Sequence, residues 1–391
     1  MTKIKKLFSF FGLEKGLLYV SVGNLVSTGL GAILWFILAS QMSAHEYGSI
    51  NYFISIVSIL TSIGILGFDS TLTAFLAKGV SKMLPEAGTL VLLSTVLLSV
   101  ALYFSFLSLP AVLLLAVMIF FTFSTAEILG HQSYKEFMII MIVQRVLTLI
   151  LIPMLFHTFG VDGALYGFAF AHLPVSYRFF MAMRHFRFSI LTLRPHKRFF
   201  FHSYALGISK TLPYFSDKII IVPLFGAAIA GYYQFGIQML TVTSIIPIIL
   251  YSYLLPRQAA GDSGSTRRTA MLGIFLCIFI ISVLIVLMPY IVNNLFPSFK
   301  NAIYSSQILL LAGLPFTVIA IINSSLMANE KSLHVAIAAG VFLATQFTLI
   351  LTIGSFFGLF GLSISTLVAA VVQAMYLYIK SKTGPSYFRL G

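Results

Sequence analysis

The sequence predicts an all-α integral membrane protein with twelve transmembrane helices, arranged as two six-helix bundles related as parallel repeats. Three observations lead there. Of 391 residues, 59% are hydrophobic and only 9% charged, whereas soluble domains carry roughly 25% charged residues. Apolar runs of about 20 residues, the length a helix needs to cross the hydrocarbon core, follow one another along the whole chain. The cations between the runs sort to one side of the membrane. The alternating pattern of a membrane barrel is absent, so the spans are helical.

The runs fall at roughly 16–40, 48–68, 88–109, 111–130, 135–156, 161–182, 202–224, 228–255, 270–295, 303–328, 333–354 and 358–380, with ends good to a few residues. The first follows a basic "KIKK" but is too long for a signal peptide's apolar core and leads straight into a second run, so it reads as a retained helix. Cys277 is the single cysteine, which excludes an intrachain disulfide and a thiolate metal site. The Asn323–Ser325 glycosylation pattern lies inside a span.

Orientation follows from the 24 Lys and Arg residues. Arg145, Lys210 and Lys218 lie within spans. Lys300 stands alone on one side, and every other cation falls on the opposite side. The positive-inside rule puts both termini in the cytoplasm of a multi-pass cell-membrane protein. The net charge of +14 is therefore mainly a topology signal, with some attraction to anionic membrane lipids. No basic domain stands apart from the membrane, which argues against nucleic acid as a partner. The outer connections, such as "QMSAHEY" and "HTFGVDG", are too short to hold a domain.

A basic stretch, 183–200, divides the chain into an N-terminal bundle (1–182) and a C-terminal bundle (201–391), with 183–200 as a cytoplasmic linker. Each half enters and leaves on the same side, as parallel repeats do. "EYGSINYF" (46–53) is echoed by "AGYYQFG" (230–236), and "FGVDGALYGFAFA" (159–171) by "FGLFGLSISTLVA" (357–369). The second echo keeps an F-G-x-x-G core.

Together with "GILGFDSTLTAFLAKG" (64–79) and "FSDKIIIVPLFGAAIAGYYQFGIQM" (215–239), the first echo resembles the polysaccharide transporter family. That family belongs to the multidrug/oligosaccharidyl-lipid/polysaccharide exporter superfamily. The resemblance covers essentially the full length. It implies a non-enzymatic flippase for polyprenyl-(pyro)phosphate-linked oligosaccharides, of the O-antigen type, working by alternating access in surface glycan assembly. Lipid-linked oligosaccharide is then the substrate, and glycan assembly enzymes are candidate partners. It also permits coupling to Na⁺ or H⁺, with no other cofactor expected.

The intramembrane charges are the candidate site, because a charge near the bilayer centre costs at least ~2.5–3.5 kcal/mol. Arg145 lies mid-span. Lys210 sits roughly 12 Å in from the cytoplasmic end of its helix at 1.5 Å per residue. Lys210, Tyr214 and Asp217 are spaced i, i+4, i+7 on one face, and Lys218 turns away from it. In one reading Asp217 neutralises Lys218 and Lys210 snorkels to the headgroups. In the other, Arg145 and Lys210 cradle a pyrophosphate while Tyr214 stacks on sugar, and Asp217 binds a coupling ion. The first echo's offset matches Lys210 with Ser27 and Asp217 with Leu34; the second echo's offset matches Arg145 with Leu343. The scaffold repeats and the charges do not. Asn24 and Gln238 are candidate cavity liners and Asp69 a candidate cytoplasmic gate, while Glu127 and Arg178 read as interfacial. Pro174, Pro213, Pro247 and Pro315 are expected to interrupt their helices.

Two other functions need weighing. A multidrug or small-molecule exporter of the same superfamily would favour an acidic pocket, and the first span carries no acid. A membrane glycosyltransferase or polysaccharide polymerase would need outer loops large enough for a site. No phosphate-cradling glycine loop, metal cluster or nucleophile–base motif is present.

Overall fold

The computed structural model describes residues 15–185, 194–260 and 264–382, and among these every regular element is a helix. In chain order they are α1 (Lys15–Gln41), α2 (Ala44–Gly64), α3 (Phe68–Leu76), α4 (Met83–Phe106), α5 (Leu109–Gly130), α6 (Tyr134–Ala182) and α7 (Lys197–Phe225). There follow α8 (Ala227–Thr243), α9 (Ile245–Ala259), α10 (Gly264–Leu295), α11 (Ile303–Leu311), α12 (Gly313–Ala328), α13 (Ser332–Leu349) and α14 (Ser355–Lys382). Short 3₁₀ turns occupy Met183–His185, Arg194–His196 and Pro297–Ala302, and a π-turn covers Ile350–Gly354. Lys3, Lys5, Lys6, Arg187 and Arg389 lie outside the described residues, as does the middle of the 183–200 stretch.

Eight of these helical stretches are long and apolar enough to cross a membrane, or nine if α8 and α9, which meet at 41°, form one bent span. The chain is thus a multi-pass membrane protein. α7 is not among them: its charges and small polar residues dilute the run expected at 202–224. Two stretches are far longer than one crossing. α6 has 49 residues, about 73 Å at 1.5 Å per residue, against a hydrocarbon core of about 30 Å. Inside it Gly160 takes φ 59°, ψ −138°. Gly358, its counterpart in the second echo, takes φ 55°, ψ −130°. Side chains are excluded from this region, and each glycine folds its helix back on itself. The match extends further. A Cβ on Gly163 would meet the Leu155 carbonyl oxygen, and one on Gly361 would meet that of Ile353, at the same offset. The F-G-x-x-G echo is one turn built twice.

The breaks are made by glycines and cap residues more than by prolines. α6 runs unbroken through Pro174 and α7 through Pro213. Pro247 and Pro315 fall in the first turns of α9 and α12, where an amide N–H has no helical partner to lose. The expected span at 48–68 stops early, because Leu66 (φ 55°) and Gly67 (φ 76°) turn the chain into the short α3.

Contacts gather the chain into two compact units: Met1–Leu38 with Tyr52–Ile219, and Ala39–Asn51 with Ile220–Gly391. In the first, α5 packs on α6, α3 and α4, around Phe179, which stacks on Phe120 (4.2 Å) and meets Phe123 edge-on (5.1 Å). In the second, α9 packs on α12, α13 on α14, and α8 on α11. The buried Phe299 there stacks on Phe235 (4.6 Å) and takes Tyr47 edge-on (5.4 Å). Also in the second unit, the starts of α2 and α8 cross backbone to backbone. A Cβ on Gly48 would stand 1.8 Å from the Ala227 carbonyl oxygen, and one on Gly231 would stand 1.8 Å from that of Ala44. Both pairs obey the first echo's offset, so that echo also corresponds to matched geometry. Outside the cores the surface is apolar: Leu272, Phe275, Phe279, Val286 and Tyr290 of α10 are exposed, as a lipid solvent requires.

Candidate functional site

Arg145 lies in the first limb of α6, half-buried in the first unit. Its Nε donates to Ser27 Oγ of α1 at 3.3 Å. One turn further along α1, Gly31 leaves room for the guanidinium: a Cβ there would lie 3.4 Å from Cζ and Nη1. Ion pairs form between Arg178 and both Glu127 and Glu136, and between Lys218 and Asp217. No carboxylate among the described residues pairs with Arg145 in this way. The Nη1 and Nη2 groups of Arg145 form no hydrogen bond to any described residue. They are the two arms that grip a carboxylate or phosphate side by side.

Beside Arg145, Gln144 is buried and its amide contacts His172 Nε2 at 3.0 Å, across the Gly160 turn. His172 Nδ1 lies 2.6 Å from the Phe168 carbonyl oxygen. A carbonyl only accepts, so Nδ1 carries the proton, and Nε2 accepts from Gln144. The sequence reasoning passed over this pair. Its only trace there is a glutamine next to an intramembrane arginine, with a histidine in the following apolar run.

Along α7, Lys210 and Tyr214 are exposed while Asp217 and Lys218 are buried. The face that periodicity assigns to Lys210, Tyr214 and Asp217 therefore passes from open to enclosed between Tyr214 and Asp217. Lys218 Nζ lies 3.1 Å from Asp217 Oδ1 and donates to the Tyr214 carbonyl oxygen at 2.7 Å. The Lys218 amide also donates to Asp217 Oδ1 at 2.9 Å. None of these residues hydrogen-bonds or ion-pairs with Arg145.

The remaining candidates are scattered. Asn24 is exposed on α1, and Gln238 is buried in α8. Asp69 is half-buried at the start of α3, where Oδ2 accepts from Ser70 at 3.4 Å. Arg178 and Glu127, read as interfacial from sequence, form a half-buried network with Glu136 (Arg178–Glu136 2.5 Å, Arg178–Glu127 3.6 Å) that ties α5 to both limbs of α6. A second polar cluster that sequence did not suggest lies in the second unit. There Tyr233 Oη and Thr366 Oγ1 are 2.8 Å apart, and Gln346 donates to both at 3.3 Å. Among the described residues, no three His, Cys, Asp or Glu side chains gather as a metal site would require.

Residues 13–260 match a family described as polysaccharide biosynthesis protein, which is more than half of the chain. The chain belongs to this family. Among solved structures the fold is similar to lipid II flippase MurJ in its inward closed conformation, with a TM-score of 0.76 at 15% identity over 94% of this chain and 88% of that one. It is also similar to a multidrug resistance MATE family transporter of the MOP superfamily. The inward-facing form gives a TM-score of 0.66 at 15% identity over 95% and 99% of the two chains, and the outward-facing form 0.57 at 14% over 94% and 95%. No curated protein matches. A polysaccharide biosynthesis family and a fold similar to that of a flippase and a transporter thus meet in one multi-pass chain.

Proposed function

We propose that this protein is a flippase that moves a polyprenyl-(pyro)phosphate-linked oligosaccharide from the cytoplasmic to the outer leaflet by alternating access. The observation that carries the reading is the state of Arg145. An unpaired guanidinium well inside a membrane helix is costly, yet among the described residues this one is held by a single serine, with neither Nη group in a hydrogen bond. A phosphate supplies the missing counter-charge and fills both arms. Lys210 and Tyr214, exposed on α7, add a point charge and a ring for sugar stacking. Asp217 is assigned to the charge pair with Lys218 rather than to a coupling ion. Twelve crossings in two parallel six-helix repeats follow if the bent α6 and the α13–α14 stretch are each counted as two limbs, the bent α8–α9 pair as one span, and α7 as the first crossing of the second repeat. Both termini then face the cytoplasm, as the cations direct. The MATE-like fold favours a second reading, cation-coupled export of drugs or other small molecules, but the buried acid on α7 is already neutralised by Lys218.

The test is surface glycan delivery in cells lacking the protein, complemented with wild type, Arg145→Ala or Lys210→Ala at equal membrane levels. The flippase reading expects lipid-linked glycan to accumulate on the cytoplasmic face without the protein, and neither variant to restore export. Full complementation by both variants would remove the cradle.

A further inference from the structure

We propose that Gln144 and His172 are positioning residues that aim Arg145, an inference that rests on the reading of Arg145 as a phosphate ligand. Gln144 and Arg145 are neighbours on the first limb of α6, about 100° apart around the helix. Arg145 points to Ser27 and Gly31 on α1. Gln144 points across the Gly160 turn to His172, which is itself fixed to the Phe168 carbonyl. The limb therefore cannot rotate without breaking a buried hydrogen bond, and rotation is what would swing the guanidinium away from α1. A lone buried amide or imidazole is costly, so the pair is stable only while both members face each other.

The repeat supplies an internal control. Under the second echo's offset, Gln144 corresponds to Phe342, Arg145 to Leu343 and His172 to Ala370. Phe342 and Ala370 pack in one apolar cluster, with Leu343 against it. At the matching place in the second half, the same cross-turn contact is made by apolar packing alone. The fold does not require a polar pair there. The pair occurs in the half that carries Arg145.

The experiment uses the full chain purified in detergent and farnesyl pyrophosphate as the probe. Binding is read from Trp35, the single tryptophan. Trp35 lies one turn beyond Gly31 on α1, and its ring is 6.0 Å from that of Phe168. The double substitution Gln144→Phe with His172→Ala installs the second half's residues. The expected result is a loss of affinity of about ten-fold or more with an unchanged unfolding temperature. The exchanged pair Gln144→His with His172→Gln, which can re-form the hydrogen bond, is expected to stay within about three-fold of wild type. If the double substitution lowers the unfolding temperature, the near-isosteric pair Gln144→Met with His172→Phe, which leaves neither polar group unpaired, carries the same comparison. Wild-type affinity in the transplanted or Met variant, with Arg145→Ala weakened, overturns the positioning role alone. If Arg145→Ala binds like wild type, or wild type does not bind the probe, the phosphate-ligand reading itself falls.

Discussion

Replacing Gly48 or Gly231 with alanine tests the backbone crossing of α2 and α8. Each new Cβ would stand 1.8 Å from a carbonyl oxygen, and real Cβ atoms do not approach closer than 3.0 Å. The obstructing atoms are backbone, so no rotamer change relieves them. The helices must part by at least about 1.2 Å at the crossing. Overpacking of this kind typically costs about 1–3 kcal/mol, and two Cα–H···O contacts worth about 0.5–1 kcal/mol each are stretched. Each single variant should thus lose about 2–5 kcal/mol. The two clashes face each other across one interface, so one separation relieves both. The double variant should then cost well below the sum, with a coupling of about 2 kcal/mol. Equilibrium unfolding of the detergent-solubilised chain, followed by helical circular dichroism, measures all three. Full additivity, or single variants as stable as wild type, would refute the reciprocal crossing.

Gly160→Ala and Gly358→Ala address backbone conformation alone, since beyond the adjoining residues and the helix's own backbone nothing lies within 4 Å of the added Cβ at either site. Each should cost about 1–3 kcal/mol, and the two costs should agree closely in the same unfolding assay, because the two glycines share nearly the same φ and ψ. Lys218→Met with Asp217 kept should lose about 3–5 kcal/mol by stranding a buried carboxylate. Adding Asp217→Asn should recover most of that loss, again read as an unfolding midpoint.

Much of the fold was legible because a bilayer leaves few options for backbone and charge. The apolar runs located the helices, and the two echoes located turns whose geometry matches at Gly160 and Gly358 and a crossing that matches at Gly48 and Gly231. The helix breaks were less legible. Proline is the familiar signal, yet Pro174 and Pro213 leave their helices unbroken, while Leu66, Gly67 and Gly160 end or fold theirs through positive φ. The chemistry was partly visible. An arginine in mid-run announces itself by its cost, but its partners do not: Ser27 lies 118 residues away and looks like any membrane serine. Gln144 and His172 were missed because each is unremarked alone and acquires meaning only when the Gly160 turn brings them together. Periodicity placed Asp217 with Lys210 and Tyr214 because it sees only the angle around one helix. What covers that helix changes along its length.

The most direct measurement reconstitutes the purified chain in proteoliposomes with a fluorescent short-chain polyprenyl-pyrophosphate oligosaccharide and follows its movement between leaflets by quenching from outside. The account predicts protein-dependent exchange that Arg145→Ala abolishes and Leu272→Ala, on the exposed apolar face of α10, leaves near wild type. Exchange that survives Arg145→Ala unchanged, or a wild-type chain that moves no pyrophosphate-linked glycan, would contradict it.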